Sequence, residues 1–224
     1  MKKIAASVIG SCLLAGAATA FADGGPAMNQ KCGCWYVGAG IGYSRVSIDD
    51  IAPIAGTTFT QSKDESDTGW KIFAGYHFNP NFAVEAGYVD LGKFNQTANF
   101  TAPTTLTVSE DIEASGPFVD LIGVLPVNDS FSVYARGGAI YASSKTTVNI
   151  SGASPALAAA LAAAGATSDS SDDVRGEAGL GAQFDFNRNF GVRGEWERYF
   201  SLGTNNSGKG DVDLFSVNLI YTFF

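Results

Sequence analysis

The chain has 224 residues, is 46% hydrophobic and 12% aromatic, holds 27 glycines and has a formal charge of −8. That acidic balance argues against nucleic acid, which demands a basic footprint. Beyond the N-terminal segment no run reaches the ~18 apolar residues of a spanning helix. Strands of a transmembrane barrel escape such a scan, because only every second residue is apolar.

Lys2 and Lys3 precede an apolar run from Ile4 to Ala18, and Ala20-Phe21-Ala22 fits the small-x-small cleavage rule. Residues 1–22 therefore read as a cleaved signal peptide. Its removal takes both lysines, and the charge of −8 becomes −10. Cys12 leaves with it; the apolar run before it is too short for a lipoprotein site. Residues 23–34 form an N-terminal periplasmic segment that ends with Cys32 and Cys34 flanking Gly33. Export makes the pair a candidate disulfide, but one intervening residue closes a very small, strained loop. Two lone thiols make an incomplete metal site. A local structural or idle role is expected.

Residues 35–224 show period-2 alternation in eight stretches, which means β-strands. In the first, Trp35 to Arg45, Trp35, Val37, Ile41 and Tyr43 alternate with Tyr36 and glycines. A long polar loop, 46–66, follows. The second and third strands span 67–93 around the turn Asn79-Pro80-Asn81. The Thr- and Asn-rich region 94–115 is expected to extend both adjoining strands beyond the membrane. Pro117 to Val127 is the fourth strand and Phe131 to Ser144 the fifth, joined by a short turn ending at Ser130. Residues 145–172 form the longest loop, in which Ser154-Pro155, Ala-Leu repeats and Gly165 predict a short surface helix. Val174 to Asn187 is the sixth strand, and Asn187-Arg188-Asn189 repeats the chemistry of the first turn. Phe190 to Leu202 is the seventh, 203–210 a Gly/Asn loop, and Asp211 to Phe224 the eighth.

Short and long connections thus alternate between the two ends. The predicted fold is all-β: an eight-stranded antiparallel transmembrane β-barrel with short periplasmic turns and long extracellular loops. A soluble, lipocalin-like barrel would instead turn its apolar face inward around a ligand. The polar parity decides the matter. It holds Lys71, Glu85, Asp120, Arg136, Glu177, Arg193 and Glu195 among many glycines. Inside, the glycines make room and charges of both signs pair. Outside, the aromatics at strand ends form interfacial girdles. The expected location is the outer membrane.

Several stretches resemble one family. Trp35-Tyr36-Val37-Gly38-Ala39-Gly40-Ile41-Gly42-Tyr43-Ser44 resembles the first strand of the membrane domain of the outer-membrane protein A family. Gly75-Tyr76-x-x-Asn79-Pro80 and Glu85-x-Gly87-Tyr88-x-x-Leu91-Gly92 resemble its second and third strands. Tyr134-x-Arg136-x-Gly138 resembles its fifth, and Arg193-x-Glu195 its seventh. The resemblance implies a polar, largely plugged interior in which a strand-three glutamate, here Glu85, pairs with interior cations as a gate, and Arg193 matches the family's seventh-strand arginine. The family's fourth-strand lysine falls near Ile122, which cannot pair, and its sixth-strand glutamate near Gln183. The chain stops after the barrel, so the peptidoglycan-binding domain of longer relatives is not expected. Phe215, Val217, Leu219, Tyr221 and Phe223 fit the family's C-terminal assembly signal, with Phe224 one residue extra. The signal implies the barrel-assembly machinery as a partner.

An eight-stranded interior is just wide enough to be filled by side chains. Glu85, Arg136, Arg193 and Glu195 are expected to form a mid-barrel ion network, with Lys71 and Asp120 at its edge. The expected role is structural, in envelope integrity, with at most weak small-ion conductance. No cofactor and no metal site is expected. An enzyme is not expected either: the single histidine, His77, lies two residues before a periplasmic turn, and a Ser/His arrangement needs proximity. Glu195 and Glu197 share a strand face, but Arg193 beside them favours an ion network over a catalytic carboxylate pair. Outer-membrane lipid and lipopolysaccharide are the expected partners. The rival reading is a surface adhesin that binds a host or surface ligand through loops 46–66 and 145–172. Those loops carry Asp49, Asp50, Asp64, Glu65, Asp169 and Asp172, with Asp67 and Asp173 just beyond, and such carboxylates suit divalent cations shared with lipopolysaccharide phosphates.

Overall fold

The computed structural model describes residues 33–46, 58–102, 105–163, 168–203 and 210–223. The signal peptide, Cys32, Asp49, Asp50, Gly165 and Phe224 lie outside the described residues. The strands are β1 (Cys34–Val46), β2 (Thr58–Asp64), β3 (Ser66–Asn79), β4 (Phe82–Ala102), β5 (Leu106–Pro126) and β6 (Phe131–Ser151). The helix α1 (Pro155–Ala163) precedes β7 (Asp169–Asp185), β8 (Phe190–Leu202) and β9 (Gly210–Thr222). All pairs are antiparallel. β1 pairs with β3, every later strand pairs with its successor, and β9 returns to β1. Eight strands therefore close into a barrel, and β2 lies outside that ring. Closure leaves no lipid-facing edge whose backbone groups would be unpaired.

The alternation turns apolar residues outward. Ile41, Leu121, Val174 and Val217 are each at least 60% exposed, whereas Lys71, Glu85, Asp120, Arg136, Arg193 and Glu195 are at most 6% exposed. This is a lipid-facing wall around a polar interior. Near the short turns the outward aromatics stack along the rim. Trp35 meets Tyr76 at 5.1 Å between ring centroids, Phe190 meets Tyr221 at 5.0 Å, and Tyr221 meets Phe223 at 4.9 Å. Phe215, Val217, Leu219, Tyr221 and Phe223 all face outward on β9 and beyond it.

One device makes all three short turns. The Asn79 side-chain oxygen accepts from the backbone N–H of Asn81 and Phe82, both at 2.8 Å. Asn187 does the same for Asn189 and Phe190, at 2.9 Å each. Asn128 does so for Ser130 at 3.0 Å and Phe131 at 2.8 Å. The side chain thus supplies the acceptor that a tight turn needs. Asn81 and Asn189 then reach sideways and donate to the carbonyls of Val124 and Thr222, at 3.1 and 3.0 Å.

The long connections differ from the sequence-based expectation. Within the predicted loop 46–66, residues 58–64 form β2, which pairs with Asn95–Ala102 of β4. Most of the flanks of the predicted loop 145–172 are also strand, with β6 running to Ser151 and β7 starting at Asp169. The region 94–115 extends β4 and β5 as expected. Polar side chains paired across the strands hold these extensions. Asn95 donates to Asp111 at 2.6 Å, Thr107 to Asn99 at 2.8 Å, and Thr97 and Ser109 share a bond at 3.2 Å. Such pairs add to the ladder on the polar face of the strands, while Phe94, Ala98, Leu106 and Ala114 are buried on the other. α1 forms where its start signals stand: Pro155 opens it and the Ser154 hydroxyl accepts from the N–H of Leu157 at 3.3 Å.

Several glycines on the inner face lie under aromatic rings. A Cβ on Gly75 would run into the Tyr36 ring, and one on Gly38 into the Phe73 ring. Gly194 has nothing within 4 Å of its Cβ direction. Gly75→Ala should therefore cost about 1–3 kcal/mol through overpacking, while Gly194→Ala should be close to neutral. Urea unfolding of the refolded protein in lipid measures both, and equal stabilities would refute the packing account.

Candidate functional site

Every strand of the closed ring contributes to one layer of polar side chains across the lumen. β8 supplies most of it, because Arg193, Glu195 and Glu197 follow each other at every second position and so share the inner face. β1 contributes Tyr36, β3 Lys71, β4 Glu85, β5 Asp120, β6 Tyr134 and Arg136, β7 Glu177 and Gln183, and β9 Ser216 and Asn218. All of them are buried.

Arg193 occupies the periplasmic half of this layer. It donates from Nη1 to Glu85 Oε2 at 2.7 Å and from Nε to Gln183 Oε1 at 3.1 Å. Its guanidinium lies 5.5, 5.4 and 4.9 Å from the ring centroids of Tyr36, Phe73 and Tyr134. The ring faces add a favourable electrostatic contact to a desolvated cation. The Tyr36 hydroxyl donates to Glu85 Oε2 at 3.0 Å and the Tyr134 hydroxyl to Glu195 Oε1 at 2.6 Å.

Arg136 is the centre. Its Nε donates to Asp120 Oδ2 at 2.8 Å, and its Nη2 also contacts that oxygen. Nη2 lies 3.2 Å from Glu85 Oε1, and Nη1 lies 3.0 Å from both Glu195 Oε1 and Glu197 Oε1. Glu85 and Asp120 stand directly opposite each other in the β4–β5 register. Two carboxylates so placed repel, and the Arg136 fork between them offsets that repulsion. Lys71 donates to Glu197 Oε2 at 2.9 Å and is paired with Glu195 Oε2. Asn218 Nδ2 donates to the same Glu195 oxygen at 2.7 Å.

The structure thus brings Glu85, Arg136, Arg193, Glu195, Lys71 and Asp120 together. Lys71 and Asp120 sit within the network and not at its edge, since each touches a central partner. Two carboxylates were not among the predicted members. Glu197 shares the face of Glu195 and binds both Lys71 and Arg136. Glu177 faces Asp120 across Gly138. Their shared parity with Glu195 and Arg175 was the available signal. Tyr36 and Tyr134 were also missed; aromatic residues on a glycine-rich polar parity mark ring-over-glycine packing. Ile122, where the related family has a lysine, is buried and apolar, so Arg136 from the next strand stands in as cation. Asp120, Glu177 and Glu197 place ligand oxygens within 4.8 Å of one another, the one group among the described residues with a metal-holding arrangement.

His77 faces the lumen near the periplasmic end, with its ring 4.9 Å from that of Tyr36. Around these rings a cavity of about 40 Å³ remains, lined by Tyr36, His77, Ile122, Tyr134 and Arg193 among others, which is room for a few waters. Cys34 is buried at the foot of β1 opposite His77. Of the acidic outer residues, Asp64 and Asp172 are exposed, while Asp67 is engaged in structure: it accepts from the Lys93 N–H at 2.7 Å.

Removing one member of a buried pair strands its partner in a medium that cannot solvate it. Arg193→Ala should destabilise the folded barrel by about 3–5 kcal/mol. The exposed pair of Lys93 and Glu113, at 2.6 Å, should contribute little that can be measured, so Lys93→Ala serves as the control. Urea titration of both refolded variants tests the difference, and an Arg193→Ala midpoint matching that of Lys93→Ala would contradict it.

Comparison with known proteins matches this architecture. The family model described as the outer membrane protein beta-barrel domain fits residues 9–223. An uncharacterised protein of Coxiella burnetii is 26% identical over 196 residues, covering 81% of this chain and 77% of that one. The crystal structure of Ail, the attachment invasion locus protein of Yersinia pestis, is similar at 17% identity and a TM-score of 0.51, covering 86% of this chain and 99% of that one. OprG of Pseudomonas aeruginosa is similar at 20% identity and a TM-score of 0.49, over 86% of this chain and 97% of that chain. With a closed eight-stranded barrel, a lipid-facing apolar wall and a family match along almost its whole length, the chain belongs to the outer membrane beta-barrel family, and its place is the outer membrane.

Proposed function

We propose that the chain is a structural barrel of the outer-membrane protein A type, which supports envelope integrity and whose lumen is plugged. The observation behind this reading is the ion network itself. Strands all around the ring meet in it, its charges are buried, and the cavity beside Tyr36 and His77 measures about 40 Å³. A solvated ion crossing the barrel would have to separate Arg136 and Arg193 from Glu85 and Glu195. Each separation leaves charges unpaired in a low dielectric, at several kcal/mol. Conductance is then weak at most. Lipid and lipopolysaccharide surround the outer wall, and the outward residues Phe215, Val217, Leu219, Tyr221 and Phe223 serve as the assembly signal for the barrel-assembly machinery.

The rival reading is adhesion through the extracellular part. It is supported by the length of β4–β7, which project beyond the lipid-facing band and carry polar side chains on both faces. Ail is named for attachment and invasion, but a likeness at that identity speaks for the fold alone. The acidic outer residues would repel a polyanionic ligand and would suit a cationic one.

Planar-bilayer recording separates plug from pore. The wild type should show no steady porin-like current, and Glu85→Ala, which frees Arg193 and loosens Arg136, should raise the conductance. A steady wild-type current that Glu85→Ala leaves unchanged would refute the plug. For the rival, deleting 152–168 removes α1 but spares the strands of β6 and β7. If whole-cell binding to matrix proteins exceeds that of a strain lacking the protein and falls to that background on deletion, adhesion gains; binding no higher than the background counts against it.

A further inference from the structure

The lumen has more acid than base. Among its fully buried charges Lys71, Arg136 and Arg193 face Glu85, Asp120, Glu177, Glu195 and Glu197, three cations against five carboxylates. The excess is concentrated in one place. Lys71 and the two arginines serve Glu85, Glu195, Glu197 and one oxygen of Asp120. Glu177 is 4% exposed, and neither of its oxygens accepts a hydrogen bond. Oδ1 of Asp120 has no donor either.

The two side chains converge on one place. Asp120 pairs with Gly138 across the β5–β6 ladder, and Gly138 pairs with Glu177 across β6–β7. The missing side chain at Gly138 lets them converge, since a Cβ there would run into Asp120 Oδ1. Glu197 enters from β8 over Gly179, whose Cβ would lie 3.1 Å from Glu197 Cγ. One oxygen from each of Asp120, Glu177 and Glu197 lies within 4.8 Å of the others.

We infer that Asp120, Glu177 and Glu197 bind one Ca²⁺ ion inside the barrel. Carboxylate oxygens alone make a hard ligand set, which suits Ca²⁺ or Mg²⁺ and not zinc or copper. Calcium binds oxygen at about 2.3–2.6 Å, so ligands on opposite sides of the ion are about 5 Å apart. Magnesium holds opposite ligands at about 4.1 Å and demands a near-ideal octahedron. Three carboxylates arriving from three separate strands suit the ion that tolerates flexible, irregular coordination. One divalent charge also matches the excess of two carboxylates. The ion ties β5, β7 and β8 together from within, and the inference holds whether or not the lumen conducts.

The test uses protein refolded without lipopolysaccharide, which itself binds calcium. Equilibrium dialysis of the folded wild type against ⁴⁵Ca²⁺ should find one ion per chain. Glu177→Gln keeps the shape and disturbs no ion pair, and it should weaken binding by at least about tenfold. Wild type without bound Ca²⁺ would overturn the inference and leave shared protons to hold the carboxylates. Equal binding by Glu177→Gln would overturn it too, placing the ion on the acidic outer surface. A second readout does not depend on that variant folding. The Tyr199 hydroxyl lies 3.4 Å from Glu197 Oε1, so Tb³⁺ in the site should luminesce when tyrosine is excited. Tyr199→Phe should reduce that signal several-fold; an unchanged signal, or none in the wild type, would count against the site.

Discussion

The Arg136 guanidinium is the contact on which the interior depends, because the β4–β5 register leaves no alternative. Glu85 and Asp120 are cross-strand partners on the inner face, and two carboxylates at that spacing repel unless a cation stands between them. Arg136 arrives from β6 and reaches both, then extends across the lumen to Glu195 and Glu197 on β8. Four strands are tied through one side chain. Lys71 adds β3, and Arg193 with its ring of Tyr36, Phe73 and Tyr134 adds β1.

Such interior contacts matter more here than in a water-soluble barrel. The outer wall is apolar but meets lipid, which is equally apolar, so packing that wall inward would gain nothing. What holds the ring is its backbone ladder and whatever the lumen side chains add. Glycine and aromatic residues share that work. Rings lie where the neighbouring strand has no side chain, as Tyr36 does over Gly75 and Phe73 over Gly38.

Above the membrane the chain faces a different constraint, which is how to end a barrel without exposing an edge. β3 leaves β4 at Asp90, where the β4–β5 ladder shifts register and Gly92 takes a φ of +83°. Asp90 accepts from the Gly92 N–H at 2.8 Å, and Asp67 accepts from that of Lys93. Ser44 donates to the Asp67 carbonyl at 3.0 Å, which fastens β1 to the same bulge. Past it β4 would present unpaired groups, and β2 covers them. The same sheet that holds the charged layer in the lumen thereby carries a polar platform outside it.

Much of this was legible in the residues. Period-2 alternation placed the eight barrel strands, and the seventh matches β8 from Phe190 to Leu202. The sign of the buried charges oriented the wall, because Lys71, Glu85 and Arg136 share a parity that lipid would not tolerate. Asn79 and Asn187 marked two turns by composition; Asn128 makes the third in the same way within a stretch whose chemistry looks different. β2 and the outer parts of β6 and β7 were not legible, since their Ser-, Thr- and Asp-rich stretches read as loop and are held by partners distant in sequence. The network shows the same division. Parity determines which side chains enter the lumen, but it says nothing about height or reach. Register and barrel stagger alone decided that Arg136 meets Glu85, Asp120, Glu195 and Glu197 together, and that Glu177 faces Asp120 with only a glycine between them.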